Sequence, residues 1–147
     1  MKLIKITIKS VTKAQLKKIY YWFNDQKMSK YLRTRHRTMK RIIEILSRRK
    51  THNFMINENG VDIGYIYITK RDNFVSLTIL VDKKYWGKGY GKQAMILIEK
   101  KVKRAKSKKI VLGLYPGNRR ALNLYNGLGY IQTKSRENNI IVMEKKL

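Results

Sequence analysis

Apolar and polar positions trade places along this chain in two rhythms. Ile4, Ile6 and Ile8 alternate with Lys5, Thr7 and Lys9, which predicts a half-buried strand. From Thr12, a residue type that caps helices, the period changes. Leu16, Ile19, Tyr20 and Phe23 recur on one helical face, predicting a helix to about residue 23. A basic stretch at 27–37 follows. Thr38 then starts a second helix with Ile42, Ile45 and Leu46 as its apolar face. Three strand-like runs come next, at 52–57, 61–69 and 74–81. Asn59-Gly60 is a hairpin turn between the first two, and Arg71-Asp72-Asn73 turns the chain before the third. Residues 89–105 return to the helical period, burying Ala94, Ile98, Val102 and Ala105. A strand at 109–115 ends at Pro116-Gly117, and Asn118 opens a short helix to about residue 128. Two last strands, near 130–134 and 140–145, are joined by a polar turn at 135–139.

The predicted order is β-α-α-β-β-β-α-β-α-β-β. A strand-helix-strand unit over 74–115 implies one parallel pair by a right-handed crossover, and the remaining pairs read as antiparallel. The fold class is α/β, in the α+β layered sense: a mixed, mostly antiparallel sheet with helices on both faces. No Pro-rich linker, repeat or low-complexity block divides the chain, so residues 1–147 read as a single domain.

Composition narrows the chemistry. With 43% hydrophobic residues the chain carries enough apolar surface for a core despite its charge. No apolar run approaches the roughly 20 residues that span a bilayer, and the lysine-broken N-terminus lacks a signal-peptide block. There are no cysteines, which excludes disulfides, thiolate metal sites and a cysteine nucleophile. His36 and His52 are the only histidines, too few for a metal cluster. The expectation is a cytoplasmic, metal-free domain without membrane attachment. Thirty-five Lys and Arg against nine Asp and Glu give a net charge of +26. Such a surface concentrates anions of any kind, nucleic acid included. Lys, Ile, Asn and Tyr are all frequent, which an AT-rich coding sequence would also produce.

The densest signal is Tyr85-Trp86-Gly87-Lys88-Gly89-Tyr90-Gly91-Lys92, between the run at 75–81 and the helix that follows. The first N–H groups of a helix have no partner inside it, and its dipole adds partial positive charge there. Gly87, Gly89 and Gly91 let the backbone come close to an anion, and Lys88 and Lys92 bring mobile charge. The pattern reads as a diphosphate cradle.

With that segment the chain resembles the GNAT superfamily of acyl-CoA-dependent N-acyltransferases, most clearly over residues 75–130. The family's cofactor motif, R/Q-x-x-G-x-G/A, falls on Trp86-Gly87-Lys88-Gly89-Tyr90-Gly91, with Trp86 where Arg or Gln is usual. The later N-x-x-A-x-x-L-Y-x-x-x-G-F/Y motif is matched from Asn118, Ala121, Leu124 and Tyr125 to Gly129-Tyr130. Tyr21-Trp22-Phe23-Asn24-Asp25 is similar to the W-x-N-D opening of two branches. One acetylates ribosomal-protein N-termini, the other nucleotide-linked amino sugars; the Tyr-Trp-Gly-Lys-Gly-Tyr variant looks most like the former.

The resemblance implies acetyl transfer from acetyl-CoA to a primary amine by direct attack. It implies that the backbone from Trp86 to Lys92 holds the CoA diphosphate, while Leu80 and Val81 pair with pantetheine and polarise the acetyl carbonyl. Asn118 would bind the pantetheine arm and Tyr125 would protonate the departing sulfur. As residues outside any family, Asn118 is equally a helix cap and Tyr125 equally core packing. Many relatives carry a Glu on the strand before the cradle. Here Val75-Ser76-Leu77-Thr78-Ile79-Leu80 holds no carboxylate, so the base is expected to be a water relay, or the amine to be neutralised by basic surroundings.

The resemblance also places the acceptor between 28–36 and 135–139, with Tyr31, Arg33 and Arg35 as substrate-binding residues. The acceptor would then carry negative charge: an acidic protein N-terminus or a nucleotide-linked amino sugar. The competing reading is a basic nucleic-acid-binding protein on a degenerate acetyltransferase fold, non-specific in its contacts. Monomer and homodimer are both compatible with the sequence.

Overall fold

The computed structural model describes residues 5–32, 38–137 and 139–147. Seven strands form one sheet in the order β1-β2-β3-β4-β5-β7-β6. They are β1 (Thr7–Ser10), β2 (Thr51–Glu58), β3 (Val61–Lys70), β4 (Val75–Val81), β5 (Lys109–Leu114), β6 (Ile131–Glu137) and β7 (Ile140–Lys146). Among the described residues five helices accompany them: α1 (Leu16–Asn24), α2 (Gln26–Ser29), α3 (Met39–Leu46), α4 (Tyr90–Arg104) and α5 (Arg119–Gly127). All pairings are antiparallel except β4 with β5. The expected order and the single parallel crossover are both present.

Side-chain alternation divides the core between the two faces of the sheet. Ile56, Ile66 and Leu77 point to the face where Ala94, Met95, Ile98 and Val102 of α4 are buried. Met55, Tyr65 and Leu80 point to the other, against Ile19, Trp22 and Phe23 of α1 and Ile42 of α3. Each large side chain buried this way contributes about 1.5–3 kcal/mol. No described helix is long and apolar enough to cross a membrane.

The helix starts follow the local chemistry. Thr38 Oγ1 accepts from the Arg41 N–H at 3.1 Å, capping α3. At Thr12, the N–H donates to Gln15 Oε1 at 2.8 Å, and a 3-10 turn at Lys13–Gln15 precedes α1. Two details differ from the expected pattern. The basic stretch opens with the one-turn helix α2, because Asp25 Oδ1 accepts from the N–H groups of Lys27 and Met28 at 3.0 and 3.1 Å. The last hairpin is tighter than a turn over 135–139: β6 runs on to Glu137, which pairs with Ile140. Residue Asn139, at φ 64, supplies the left-handed bend, so polar residues that read as loop are strand held by its neighbour.

The feature that matters most lies in the middle of the sheet. β4 and β5 pair only at Val75↔Ile110 and Ser76↔Val111. Beyond that point each follows its other neighbour. β4 stays with β3 to Val81, opposite Gly64, and the Asp82 N–H donates to the Ile63 carbonyl at 2.8 Å. β5 stays with β7, pairing Leu114 with Ile141. The sheet therefore opens into a wedge between two strands whose facing edges are unpaired.

Candidate active site

Two clefts meet at this wedge, one from each face. The first, of about 430 Å³, is lined by Leu77 to Val81 on β4, the 85–92 loop, and the Asn118, Arg120, Ala121, Leu124 and Tyr125 side of α5. The second, of about 490 Å³, lies on the α3 face between Tyr67 and Thr69 of β3, Ser76 and Thr78 of β4, and Val111 to Tyr115. Tyr31, Leu32, Leu77, Thr78, Gly113 and Leu114 line both. A molecule in either cleft reaches the other through the gap in the sheet.

The glycine loop forms the floor of the first cleft. Gly87 and Gly89 have φ of 73° and 86°, where a side chain is strained, and Gly89 is the N-cap of α4. The first hydrogen bond of that helix runs from the Gln93 N–H to the Gly89 carbonyl at 3.1 Å. The N–H groups of Tyr90, Gly91 and Lys92 therefore precede the helical ladder, as an anion-binding helix end requires. Tyr90 is buried and fixes this end: its ring meets Tyr85 edge-on at 5.4 Å. The Glu58 carboxylate raises the Tyr90 phenol pKa. Lys92 lines the cleft, whereas Lys88 is exposed and does not.

Trp86 does not replace the usual Arg or Gln by simple bulk. Its Nε1–H donates to the Val81 carbonyl at 2.7 Å, locking the loop to the end of β4. The Arg120 guanidinium stacks on its ring at 3.4 Å from the centroid. A positive charge thus reaches this cleft from α5 in addition to that of Lys92. Partial burial lowers the Arg120 pKa, and Tyr31 opposes the shift. Sequence reasoning missed Arg120. Its signal, the second position after Asn118, was lost among so many basic residues.

On α5, Asn118 caps the helix, its Oδ1 accepting from the Ala121 N–H at 3.2 Å. Tyr125 lies two turns further on, 7% exposed, its ring 5.6 Å from Tyr130. Burial pushes the Tyr125 phenol up to about 12, so it stays protonated at neutral pH. Tyr130 is held by Glu99, whose Oε1 accepts from its hydroxyl at 3.0 Å, and Lys145 donates to the other oxygen at 2.9 Å. Burial and Glu99 raise the Tyr130 pKa, which leaves it as support for Tyr125.

A polar brace positions the far wall. The Trp22 Nε1–H donates to Asp82 Oδ2 at 3.0 Å, and Lys83 Nζ donates to Asp25 Oδ2 at 2.7 Å. The Lys83 ammonium holds the Asp25 carboxyl below its ordinary range, and Asp25 raises Lys83 in turn. The Trp-x-Asn-Asp segment thus ties the end of β4 to α2, from which Tyr31 and Leu32 lead over both clefts.

Of the expected site residues, the structure gathers Leu80, Val81, Trp86, Gly87, Gly89, Tyr90, Gly91, Lys92, Asn118 and Tyr125 around the first cleft. Tyr31 stands at the junction. Arg33 and Arg35 lie outside the described residues. Tyr67 and Tyr115 wall the second cleft, while Tyr65 is core. Among the described residues no Asp or Glu lines either cleft. Nor do three or more His, Cys, Asp or Glu side chains gather into a metal-holding group.

Residues 16–130 match the model of the Acetyltransferase (GNAT) family, and the chain belongs to it. No curated protein matches the chain. Among solved structures, a domain from Methanocaldococcus jannaschii DSM 2661 superposes with a TM-score of 0.89 at 22% identity, over 98% of this chain and 99% of that one. Spermidine N-acetyltransferase from Vibrio cholerae, in complex with CoA and spermine, gives 0.83 at 14% identity, over 96% and 95%. The ribosomal-protein-S18-alanine N-acetyltransferase from Escherichia coli gives 0.79 at 18% identity, over 97% and 94%. At these identities the likeness is one of fold.

Proposed function

We propose that this protein transfers an acetyl group from acetyl-CoA to a primary amine, of a protein N-terminus or a small molecule, by direct attack. The observation that carries the reading is the junction of two clefts through the β4–β5 wedge, with a glycine-loop helix end and a buried neutral tyrosine on one side. The CoA diphosphate sits on the N–H groups of residues 87–92, with Lys92 and Arg120 nearby. The pantetheine arm extends along the unpaired edge of β4 from Val81, beside Asn118. The thioester then lies in the wedge, and the amine approaches it from the opposite face.

In the reaction the amine nitrogen bonds to the thioester carbon and the carbon–sulfur bond breaks. The Tyr125 hydroxyl gives its proton to the departing thiolate and regains one from the medium. A phenol near 12 is a weak acid toward an ordinary thiol, near 8.5. The burial that raises the phenol also raises the pKa of a thiolate formed beside it, which narrows the gap. With no carboxylate among the described residues of either cleft, the incoming ammonium loses its proton to water, assisted by the cationic walls that disfavour its charge.

Isothermal titration with acetyl-CoA at moderately high salt tests this, with desulfo-CoA and a plain polyanion as controls. Saturable one-to-one binding that survives salt is expected. Heat that vanishes with salt and is matched by the polyanion would instead support a basic nucleic-acid-binding role.

A further inference from the structure

The second cleft is bordered by Arg41, Arg48 and Arg71, and among the described residues it holds no carboxylate. Arg41 is partly neutralised, its guanidinium 3.1 Å from Glu44 Oε2. Arg48 and Arg71 have no ion-pair partner among the described residues; Asp72, next to Arg71, does not line the cleft. Their backbones are fixed. The Thr51 N–H donates to the Arg48 carbonyl at 3.2 Å, and the Arg71 N–H donates to the Phe74 carbonyl at 2.9 Å. Both arginines therefore stand on formed structure at one end of a cleft whose other end is the wedge.

The spacing along β3 sets a length. Tyr67 pairs with Thr78 at the wedge, and Arg71 is four residues further along. At about 3.3 Å per residue that is about 13 Å along the strand. An amine at the wedge thus lies roughly three extended residues from the arginines, allowing for their side-chain reach. The wall between is made of Tyr67, Tyr115, Thr69 and Ser76, uncharged side chains along which an extended chain can lie.

We propose that the acceptor is the N-terminus of a polypeptide with acidic residues at about its second and third positions, read by Arg48 and Arg71. This rests on the acetyltransferase reading above and narrows its acceptor. A polyamine or aminoglycoside would place further positive charge against these arginines at a cost, so such compounds are poor acceptors here.

The test measures CoA release with peptides identical except at positions two and three: Ser-Glu-Glu, Ser-Gln-Gln and Ser-Lys-Lys starts. Spermidine, glucosamine and glucosamine 6-phosphate are further acceptors, and acetyl-CoA affinity is measured separately. The acidic peptide is expected to lead the neutral one by about tenfold in kcat/KM, mainly through KM, with the lysine peptide below both. In the R48Q/R71Q double variant that lead collapses while acetyl-CoA affinity is unchanged. Equal use of the three peptides, or a preference for spermidine or glucosamine 6-phosphate, overturns the inference and leaves the acetyltransferase reading standing. Failure to bind acetyl-CoA, with no turnover of any amine, overturns both.

Discussion

The two clefts that meet at the β4–β5 wedge are built by different means. The first recognises through backbone: glycines at positive φ, N–H groups ahead of a helical ladder, and an unpaired strand edge. The second is walled by side chains from α3, β3, β4, β5 and β7, elements spread along most of the chain. A backbone device demands particular residues at fixed spacing, since only certain residues adopt the required φ. A side-chain device leaves each position free to change with the ligand. The contrast explains why the first cleft carries the family motifs, while the second, under the proposed reading, is where acceptor specificity would lie.

The largest effect is expected where the clefts join. Tyr125→Phe removes the hydroxyl and keeps the ring against Tyr130. Turnover should fall about 100-fold, within the usual range for a general acid, with acetyl-CoA affinity unchanged. Because the phenol is raised to about 12, wild-type turnover should also show no falling limb near pH 10 from this group. The same shift makes a sign test on stability. The buried neutral phenol contributes fully below its unfolded value near 10, and that contribution is lost as pH rises toward 12. Unchanged turnover in the phenylalanine variant would remove Tyr125 from the chemistry and leave it a core residue.

A tenfold effect is expected from the loop. Gly89→Ala forces a side chain into φ 86°, a strain of about 1–2 kcal/mol. Gly60, at φ 85° in the β2–β3 turn, imposes the same strain far from the clefts. Both variants should melt earlier, but only Gly89→Ala should weaken acetyl-CoA, by roughly tenfold. Equal affinity in the two would mean that the loop conformation is structural and does not serve the ligand.

How much of this was legible follows the same division. The helix and strand periods, the Asn59-Gly60 turn and the one parallel crossover are local or near-local properties, and the sequence-based order matches the sheet. The cradle and the Asn118–Tyr125 spacing were legible because each lies within one short stretch of sequence. Arg120 was not, since its stacking on Trp86 depends on a fold that brings residues far apart in sequence into contact. Neither was the Arg48 and Arg71 pair, one just past α3 and the other in the turn after β3, which no local pattern links. The short helix α2 was missed because Asp25 creates it through capping, against a basic, weakly patterned stretch.

Smaller effects should separate the two faces of Trp86. Trp86→Phe leaves the Val81 carbonyl without its donor, at a cost of about 1 kcal/mol. Arg120→Gln keeps that bond and removes the stacked charge. Each should raise the acetyl-CoA dissociation constant by about fivefold, with the loss in Arg120→Gln shrinking as salt rises and the loss in Trp86→Phe indifferent to it. Identical salt dependence would mean that Arg120 acts by packing on the indole and not as a charge.

The smallest effect should come from the brace, and it tests whether the acceptor side is held separately from the cofactor side. Asp25 caps α2 and accepts from Lys83, so Asp25→Ala loses a cap of about 1 kcal/mol together with an exposed ion pair. A drop of about 3 °C in Tm is expected for a domain of this size. Since α2 leads to Tyr31 and Leu32, the acceptor KM should rise a few-fold while acetyl-CoA affinity holds. The pH dependence has a definite sign. Lys83 lowers the Asp25 pKa below 3.8, so its contribution is complete above that value and is lost as pH falls through the lowered pKa. Melting curves of wild type and Asp25→Ala should therefore be separated at pH 7 and draw together as pH falls through the lowered Asp25 pKa. A gap that persists in acid would show that the carboxylate's charge is not what holds α2, and that the brace rests on the Trp22–Asp82 bond instead.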